Sequence, residues 1–230
     1  MPILYVVATP IGNLEDTSVR ALRILREVGL IAAEDTRKTR RLLNAYDIDT
    51  PLTSYHEHSK KAKLDHLLAH LEREDLALVS EAGMPGLSDP GYDLVVSAID
   101  RGIFVVPVPG PSAVITALVV SGLPTDQFVF VGFLPRRKGQ RQRLLSSISD
   151  ESRTIVAFEA PHRLREALTD IGEILGDRRI AVCRELTKVH EEIFRGRVSQ
   201  AREHFAQPRG EFSLVIEGKT RAWLKLQERR

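Results

Sequence analysis

The sequence contains a single cysteine, Cys183, among its 230 residues. One cysteine allows neither a disulfide framework nor a metal site built from thiolates, so both classes of protein are excluded. No apolar run reaches the roughly 18 residues that a membrane-spanning helix requires. Residues 1–7 also lack the basic segment with which a secretory signal peptide begins. These absences predict a cytoplasmic protein with no membrane partner.

Several common site motifs are missing as well. The sequence contains no Gly-x-Gly-x-x-Gly, no Gly-x-x-x-x-Gly-Lys-Ser/Thr and no Gly-x-Ser-x-Gly. The usual dinucleotide site, the P-loop and the hydrolase nucleophile elbow are therefore not expected. His66 and His70 are spaced for one face of a helix, but no glutamate stands beside His66 in the manner of a zinc protease. We predict no metal site.

Regular alternation of apolar runs and helical patterns dominates the chain. Apolar runs at residues 3–8, 30–33, 76–79 and 104–108 each precede an amphipathic segment, which predicts a parallel sheet covered by helices on both faces. A Gly/Pro break at residues 122–126 interrupts this series, and a second series follows. We therefore predict two α/β domains, residues 1–121 with a mostly parallel sheet and 122–220 with a mixed sheet, followed by a charged tail at 221–230.

Residues 79–91 form an unusually long loop rich in glycine and proline. This loop follows a predicted strand and precedes a predicted helix, as do the Gly/Pro loops at residues 9–14 and 109–112. Parallel strands end at one edge of their sheet, so the three loops should converge there and line a ligand cleft. Ser112 and the backbone N–H groups beside it could bind an acceptor group of the ligand or simply cap the next helix.

Positive charge is concentrated in two clusters, although the formal net charge is only +2. Such clusters can neutralise several phosphates of RNA, or they can be ordinary solvated surface. The residues predicted to bind RNA are Arg37, Lys38, Arg40 and Arg41 in the first domain and Arg136, Arg137, Lys138 and Arg141 in the second.

Charged residues also follow three predicted strands, at residues 34–37, 158–163 and 184–188. Each group can be a structural set of ion pairs, the commoner role of such residues. Three groups at strand ends of two domains also fit a polar active site.

Seven segments together closely resemble the ribosomal RNA small subunit methyltransferase I family, a branch of the tetrapyrrole methylase superfamily. They are residues 8–14, 34–37, 79–91, 108–113, 132–135, 159–163 and 184–188, and the match extends in order from residue 3 to about 218. The resemblance implies a homodimer of two-domain chains with S-adenosylmethionine in the cleft between the domains. It also implies methylation of the ribose 2′-oxygen of a cytidine in the decoding region of 16S rRNA, either naked or within the 30S subunit.

The resemblance further implies which residues contact the cofactor. They are Pro10, Glu81, Ala82, Gly83, Met84, Ser112 and Ala113 in the first part of the chain and Phe158, Leu186, Gly210 and Glu211 in the second. The family usually has aspartate where this chain has Glu81, and we expect the family's C-terminal extension to be absent or truncated.

Methyl transfer to a ribose hydroxyl requires alignment of the hydroxyl and benefits from a base. Candidate bases are Glu34, Asp35, Glu159 and Glu185, and Arg37, Arg184 or Lys188 could hold a phosphate or lower the pKa of the hydroxyl. Asp35 with Arg37 is the favoured pair. The alternatives are a tetrapyrrole C-methyltransferase on the same fold and a non-catalytic RNA-binding assembly factor.

Overall fold

A computed structural model describes residues 2–56 and 61–219 of the chain. The predicted charged tail at residues 221–230 lies outside the described residues. The chain divides into two compact units, Met1–Ser112 and Ala113–Arg230.

The first unit alternates strands and helices, as the apolar runs predict. Its elements are β1 (Ile3–Val7), α1 (Val19–Glu27), β2 (Leu30–Ala33), α2 (Thr36–Ala45), β3 (Leu52–Ser54), α3 (Lys61–His70), β4 (Leu76–Val79), α4 (Tyr92–Asp100) and β5 (Phe104–Val108). The strands form one parallel sheet in the order β3-β2-β4-β1-β5. The predicted parallel sheet is confirmed, with the three-residue β3 added at its edge.

Two apolar layers cover this sheet, one on each face. Ile24 and Leu25 of α1 pack with Leu43 of α2 on one face, and Leu67 of α3 packs with Leu94 of α4 on the other. All four residues of β4 are buried. Because both faces of the sheet are covered, its inner strands β1, β2 and β4 are continuous apolar runs.

The second unit contains α5 (Ala113–Val120), β6 (Phe128–Phe133), α6 (Lys138–Ser147), β7 (Thr154–Glu159), α7 (Leu164–Leu175), β8 (Arg179–Arg184), β9 (Glu192–Arg197), α8 (Val198–His204) and β10 (Phe212–Ile216). Its sheet has the order β6-β7-β10-β8-β9. Only β6 and β7 pair in parallel, and the remaining pairs are antiparallel. The predicted mixed sheet is confirmed, and β9 is an additional strand that the sequence pattern does not reveal.

Helix α5 packs against β7 and β10, and its contacts group it with the second unit. The sequence-based boundary after residue 121 lies one helix later, because the Gly-Leu-Pro break follows α5 rather than preceding it.

In the part of the chain that the structure describes, no helix combines the length and the apolar character needed to cross a bilayer.

Candidate functional site

The three Gly/Pro loops of the first unit meet at the carboxyl edge of its sheet. Thr9 and Gly83 exchange two backbone hydrogen bonds, with N–O distances of 2.9 and 3.0 Å, which join the loops after β1 and β4. The N–H group of Ala8 donates to the carbonyl of Val108 at 3.2 Å and ties the first loop to β5. The structure thus brings together the loops that the sequence predicts to converge.

Two glycines allow this close approach of backbones. Gly83 has φ of +82°, a left-handed conformation that strains any residue with a Cβ atom. A Cβ atom on Gly110 would lie 2.9 Å from the Cβ atom of Ala8. The two glycines therefore let the three loops pack closely against one another at this edge of the sheet.

A groove of about 150 Å³ lies beside these loops, between the ends of β1 and β4 and the first turns of α2. Its lining includes Pro10 and Glu81, which the family resemblance assigns to the cofactor, together with Lys38 and Arg41, which the charge pattern assigns to RNA. Lys38 Nζ donates to the carboxylate of Glu81 across the groove. The groove therefore places residues predicted for two different ligands side by side.

Asp35 is the N-cap of α2. Its Oδ1 accepts from the backbone N–H groups of Arg37 at 2.8 Å and Lys38 at 3.4 Å, and its Oδ2 lies 3.2 Å from Nη2 of Arg37. The hydrogen bonds from the Arg37 side chain and backbone hold the pKa of Asp35 below its usual value. A carboxylate so fully engaged is a weak base, which disfavours Asp35 as the proton acceptor.

Glu34, the residue before it, is half-buried between the ends of β2 and β4. Burial raises the pKa of Glu34, and the negative charge of Glu81 raises it further, while a hydrogen bond from the Glu81 N–H group at 3.2 Å opposes the shift. A raised pKa makes Glu34 the stronger base of the two.

Asp89 belongs with these acids, although the sequence-based selection of site residues omitted it. Burial raises the pKa of Asp89 to about 6, and the charges of Glu34 and Glu81 contribute to the shift. The preceding residue, Ser88, has φ of +66°, so the loop backbone is held in an uncommon conformation next to the acid. The sequence feature that could have identified Asp89 is the Ser-Asp-Pro triplet at residues 88–90.

Asp89→Asn is expected to stabilise the protein at pH 7.5 and to have little effect at pH 4. Because the folded-state pKa lies above the unfolded value of 3.8, stability falls as pH rises from about 4 to about 6, and the penalty persists above that range. Allowing for solvent screening, we expect about 1 kcal/mol, or about 2–4 °C in Tm. Thermal melts at both pH values measure this shift.

Asp126→Asn is the control for that measurement, since Asp126 is exposed in the linker before β6. An equal gain in Tm at pH 4 and pH 7.5 for Asp89→Asn would contradict the assigned pKa.

The second unit contains its own strained polar segment after β8. Glu185 and Thr187 have φ of +50° and +66°, conformations that are uncommon for non-glycine residues and that cluster at functional sites. The Oγ1 atom of Thr187 is buried and has no hydrogen-bond partner within the described ranges. Between them, Leu186 is buried. A buried hydroxyl without a partner fits a segment that binds a ligand, as the resemblance implies for Leu186.

The carboxylate of Glu185 accepts hydrogen bonds from two neighbouring groups. Its Oε1 accepts from the Glu211 N–H group at 2.8 Å and from Lys188 Nζ at 3.0 Å, and Lys188 also bonds Glu211 at 2.9 Å. Gly210 leaves space for this carboxylate, because a Cβ atom there would lie 2.6 Å from Cγ of Glu185. Burial by itself would raise the pKa of Glu185, but the hydrogen bonds from Lys188 and Glu211 outweigh it and lower the pKa. The predicted residues 185, 210 and 211 therefore form one cluster, in which Glu185 is a poor base.

Two sequence-based assignments are corrected by burial. Arg141, predicted to bind RNA, is fully buried and its Nε lies 2.6 Å from Oδ2 of Asp170. Glu159, a candidate base, is also buried and pairs with Arg163 at 2.6 Å. Neither side chain is accessible to RNA. Glu159 has the structural ion-pair role that the sequence left open, and Arg141 has the same role in place of either RNA binding or a solvated surface position.

The other predicted RNA contacts are accessible. Arg37, Lys38, Arg40 and Arg41 on α2 and Arg136, Arg137 and Lys138 before and within the first turn of α6 are not buried. Phe158 of β7, assigned to the cofactor by resemblance, packs against the rings of Phe130 and Phe133. Ser112 and Ala113 lie at the start of α5. In residues 2–56 and 61–219, no cluster of three or more potential metal ligands occurs.

Comparison with known proteins identifies the family. Residues 3–202 match the family described as Tetrapyrrole (Corrin/Porphyrin) Methylases. A protein of Halalkalibacterium halodurans named ribosomal RNA small subunit methyltransferase I is 53% identical over 219 residues, which cover 94% of this chain and 75% of that protein. The chain belongs to the ribosomal RNA small subunit methyltransferase I family. The family member from Thermotoga maritima is also 53% identical, over 94% of this chain and 98% of its own length.

Solved structures of more distant proteins share the fold of this family member. A diphthine synthase superposes with a TM-score of 0.71 at 13% identity, over 94% of this chain and 90% of that one. The uroporphyrin-III-C-methyltransferase of Thermus thermophilus gives a TM-score of 0.65 at 19% identity, over 94% of both chains. At this level of identity the likeness extends to the fold alone.

Proposed function

We propose that this chain transfers a methyl group from S-adenosylmethionine to the ribose 2′-oxygen of a cytidine in the decoding region of 16S rRNA. The observation that carries the proposal is the groove of the first unit. It joins Pro10 and Glu81, assigned to the cofactor, to Lys38 and Arg41, assigned to RNA. Family membership supports the same reaction class.

The residues present fit S-adenosylmethionine in both units. The loops that pack together at Gly83 and Gly110 line the groove with Pro10 and Glu81, and the hydroxyl of Thr187 has no partner among the described residues. Residues 10, 81–84, 112 and 113 and residues 158, 186, 210 and 211 would hold the cofactor. When bound, it supplies an electrophilic methyl group on a sulfonium.

The chain's own residues align the ribose and accept its proton. Lys38 and Arg41 hold phosphates of the RNA at the groove, and correct orientation alone contributes about 7–11 kcal/mol to lowering the barrier. Glu34 takes the proton from the 2′-hydroxyl as the oxygen attacks, because burial keeps its pKa high. Arg37 pairs with Asp35, the residue after this base, and its side chain is exposed to solvent, where it can bind the adjacent phosphate.

Incubation with labelled S-adenosylmethionine tests the proposal. The substrates are 30S subunits, naked 16S rRNA and a free tetrapyrrole, and we expect label in RNA that maps to a ribose 2′-oxygen. Label in the tetrapyrrole alone would instead show a C-methyltransferase. Binding of RNA without any transfer would show an assembly factor. Sedimentation of the same protein tests the homodimer that we also propose.

Arg136→Gln with Arg137→Gln is expected to weaken binding of single-stranded rRNA and flatten its dependence on salt. Removing one cation that neutralises a phosphate reduces the slope of log K against log salt by about 0.7 for single strands, so the double variant should show a decrease of about 1.4. Binding titrations from about 50 to about 200 mM salt measure the slope. Arg165→Gln with Arg202→Gln removes two exposed charges elsewhere in the same unit. Equal slopes for the two double variants would contradict the assignment.

A further inference from the structure

The last residue of β6, Phe133, exposes 55% of its surface although it is a large aromatic residue. Exposed aromatic rings in a soluble protein are informative when other features point at the same surface. Two independent features point to the surface around Phe133. One is the backbone bulge that exposes the ring, and the other is the positive charge of the residues that follow it in the chain.

A bulge in β6 determines the direction of this ring. Val129 and Val131 pack against the core of the second unit, and strict alternation along the strand would turn residue 133 to the same face. The register with β7 shifts between Phe130 and Phe133, and Gly132 has φ of +69°. The bulge therefore moves Phe133 out of the core, an effect typical of bulges next to functional sites.

The ring of Phe133 rests on a second aromatic layer. Its centroid lies 5.4 Å from that of Phe158, which in turn lies 5.1 Å from that of Phe130. Contact with Phe158 restrains the ring while more than half of the residue remains accessible. A restrained and accessible ring binds a flat partner with little loss of conformational entropy.

The charge around this ring favours an anionic partner. Residues 127–149 contain no aspartate or glutamate, and Arg136, Arg137 and Lys138 are exposed three to five residues after the ring. An aromatic platform beside a run of cations is the arrangement by which proteins bind unpaired nucleotides, with bases on the ring and phosphates on the cations.

We propose that Phe133 is a stacking platform for an unpaired base of the RNA substrate, with Arg136, Arg137 and Lys138 binding the flanking phosphates. The proposal rests on the proposed function for the identity of the RNA. It assigns to Phe133 the recognition of single-stranded RNA, a role separate from the transfer step.

Phe133→Ala is expected to weaken binding of a single-stranded decoding-region oligonucleotide by between about 5-fold and 100-fold. The loss of one base stacked on an aromatic ring lowers affinity by a factor in this range. The slope of log K against log salt should stay unchanged, because the variant retains every cation. Phe133→Tyr retains the ring and should bind nearly as the parent protein does. Phe104→Ala, which removes a phenylalanine of 60% exposure from β5, is the matched control and should have no effect.

A fluorescence experiment separates stacking from charge. Trp223 is the only tryptophan in the sequence, so Phe133→Trp in a Trp223→Phe background reports from position 133 alone. The RNA oligonucleotide should quench this tryptophan, whereas an abasic oligonucleotide with the same number of phosphates should not. Equal quenching by both, or parental RNA affinity of Phe133→Ala, would overturn the platform, as would an effect confined to the KM for S-adenosylmethionine.

These outcomes are distinguishable from failure of the proposed function. Label transfer to 16S rRNA together with parental RNA affinity of Phe133→Ala would overturn the platform and leave the methyltransferase in place. Reduced RNA affinity in Phe133→Ala without any label transfer by the parent protein would support the platform and contradict the proposed methyltransferase activity.

Discussion

Glu34→Gln is expected to lower the rate constant for methyl transfer to RNA by about 100-fold or more, the usual contribution of a positioned general base. Glutamine keeps the length of the side chain and can still accept the hydrogen bond from the Glu81 N–H group, but it cannot take a proton. The binding of RNA and of S-adenosylmethionine should change little. Single-turnover measurements with excess enzyme isolate the transfer step.

Asp35→Asn is the matched comparison, because the sequence alone favours Asp35 and the structure favours its neighbour. Asparagine is as good an N-cap as aspartate, so this change removes the charge while α2 keeps its cap. We expect the transfer rate to fall by only a few fold. A large decrease in Asp35→Asn with a nearly unchanged rate in Glu34→Gln would reverse the assignment of the base.

Arg141→Ala is expected to reduce the free energy of unfolding of the second unit by about 3–5 kcal/mol. The side chain is fully buried, and its Nε pairs with Asp170 at 2.6 Å, so removing it leaves a carboxylate buried without its cation. Urea unfolding followed by circular dichroism measures the change. Arg143→Ala, at an exposed position of the same helix, should change stability by no more than about 0.5 kcal/mol.

The pairing can be checked with a second variant. Replacing both Arg141 by methionine and Asp170 by leucine removes both buried charges and should cost less than Arg141→Ala alone. If instead Arg141→Ala unfolds like the parent and binds RNA more weakly, the residue binds RNA after all. The assignment of Arg141 to a structural ion pair with Asp170 would then be wrong.

Local pattern is enough to predict the parallel sheet of the first unit. Its inner strands β1, β2 and β4 have both faces covered, so they are continuous apolar runs that stand out from the helices between them. This pattern does not predict the short edge strand Leu52–Ser54 or the hairpin strand Glu192–Arg197. Both are partly exposed and polar, and they become strands only by pairing with β2 and β8.

Spacing along the chain also predicts the convergence of the loops at residues 9–14, 79–91 and 109–112, because parallel strands end at one edge. It does not predict which charged residues of the basic clusters are accessible. Arg137 and Arg141 stand four residues apart in one basic run, yet one is exposed and the other is fully buried. Only the packing of α6 against α7 decides that difference.

The sequence by itself determined the fold class, the family and the loops that converge at the candidate site. The tertiary structure alone decided the chemistry of the individual acids. The pKa of a carboxyl depends on its burial and on the charges around it, and these come from residues far apart in the chain. Asp35 is engaged by its own helix, whereas Glu34 meets Glu81 and Asp89 only because strands β2 and β4 are neighbours in the sheet.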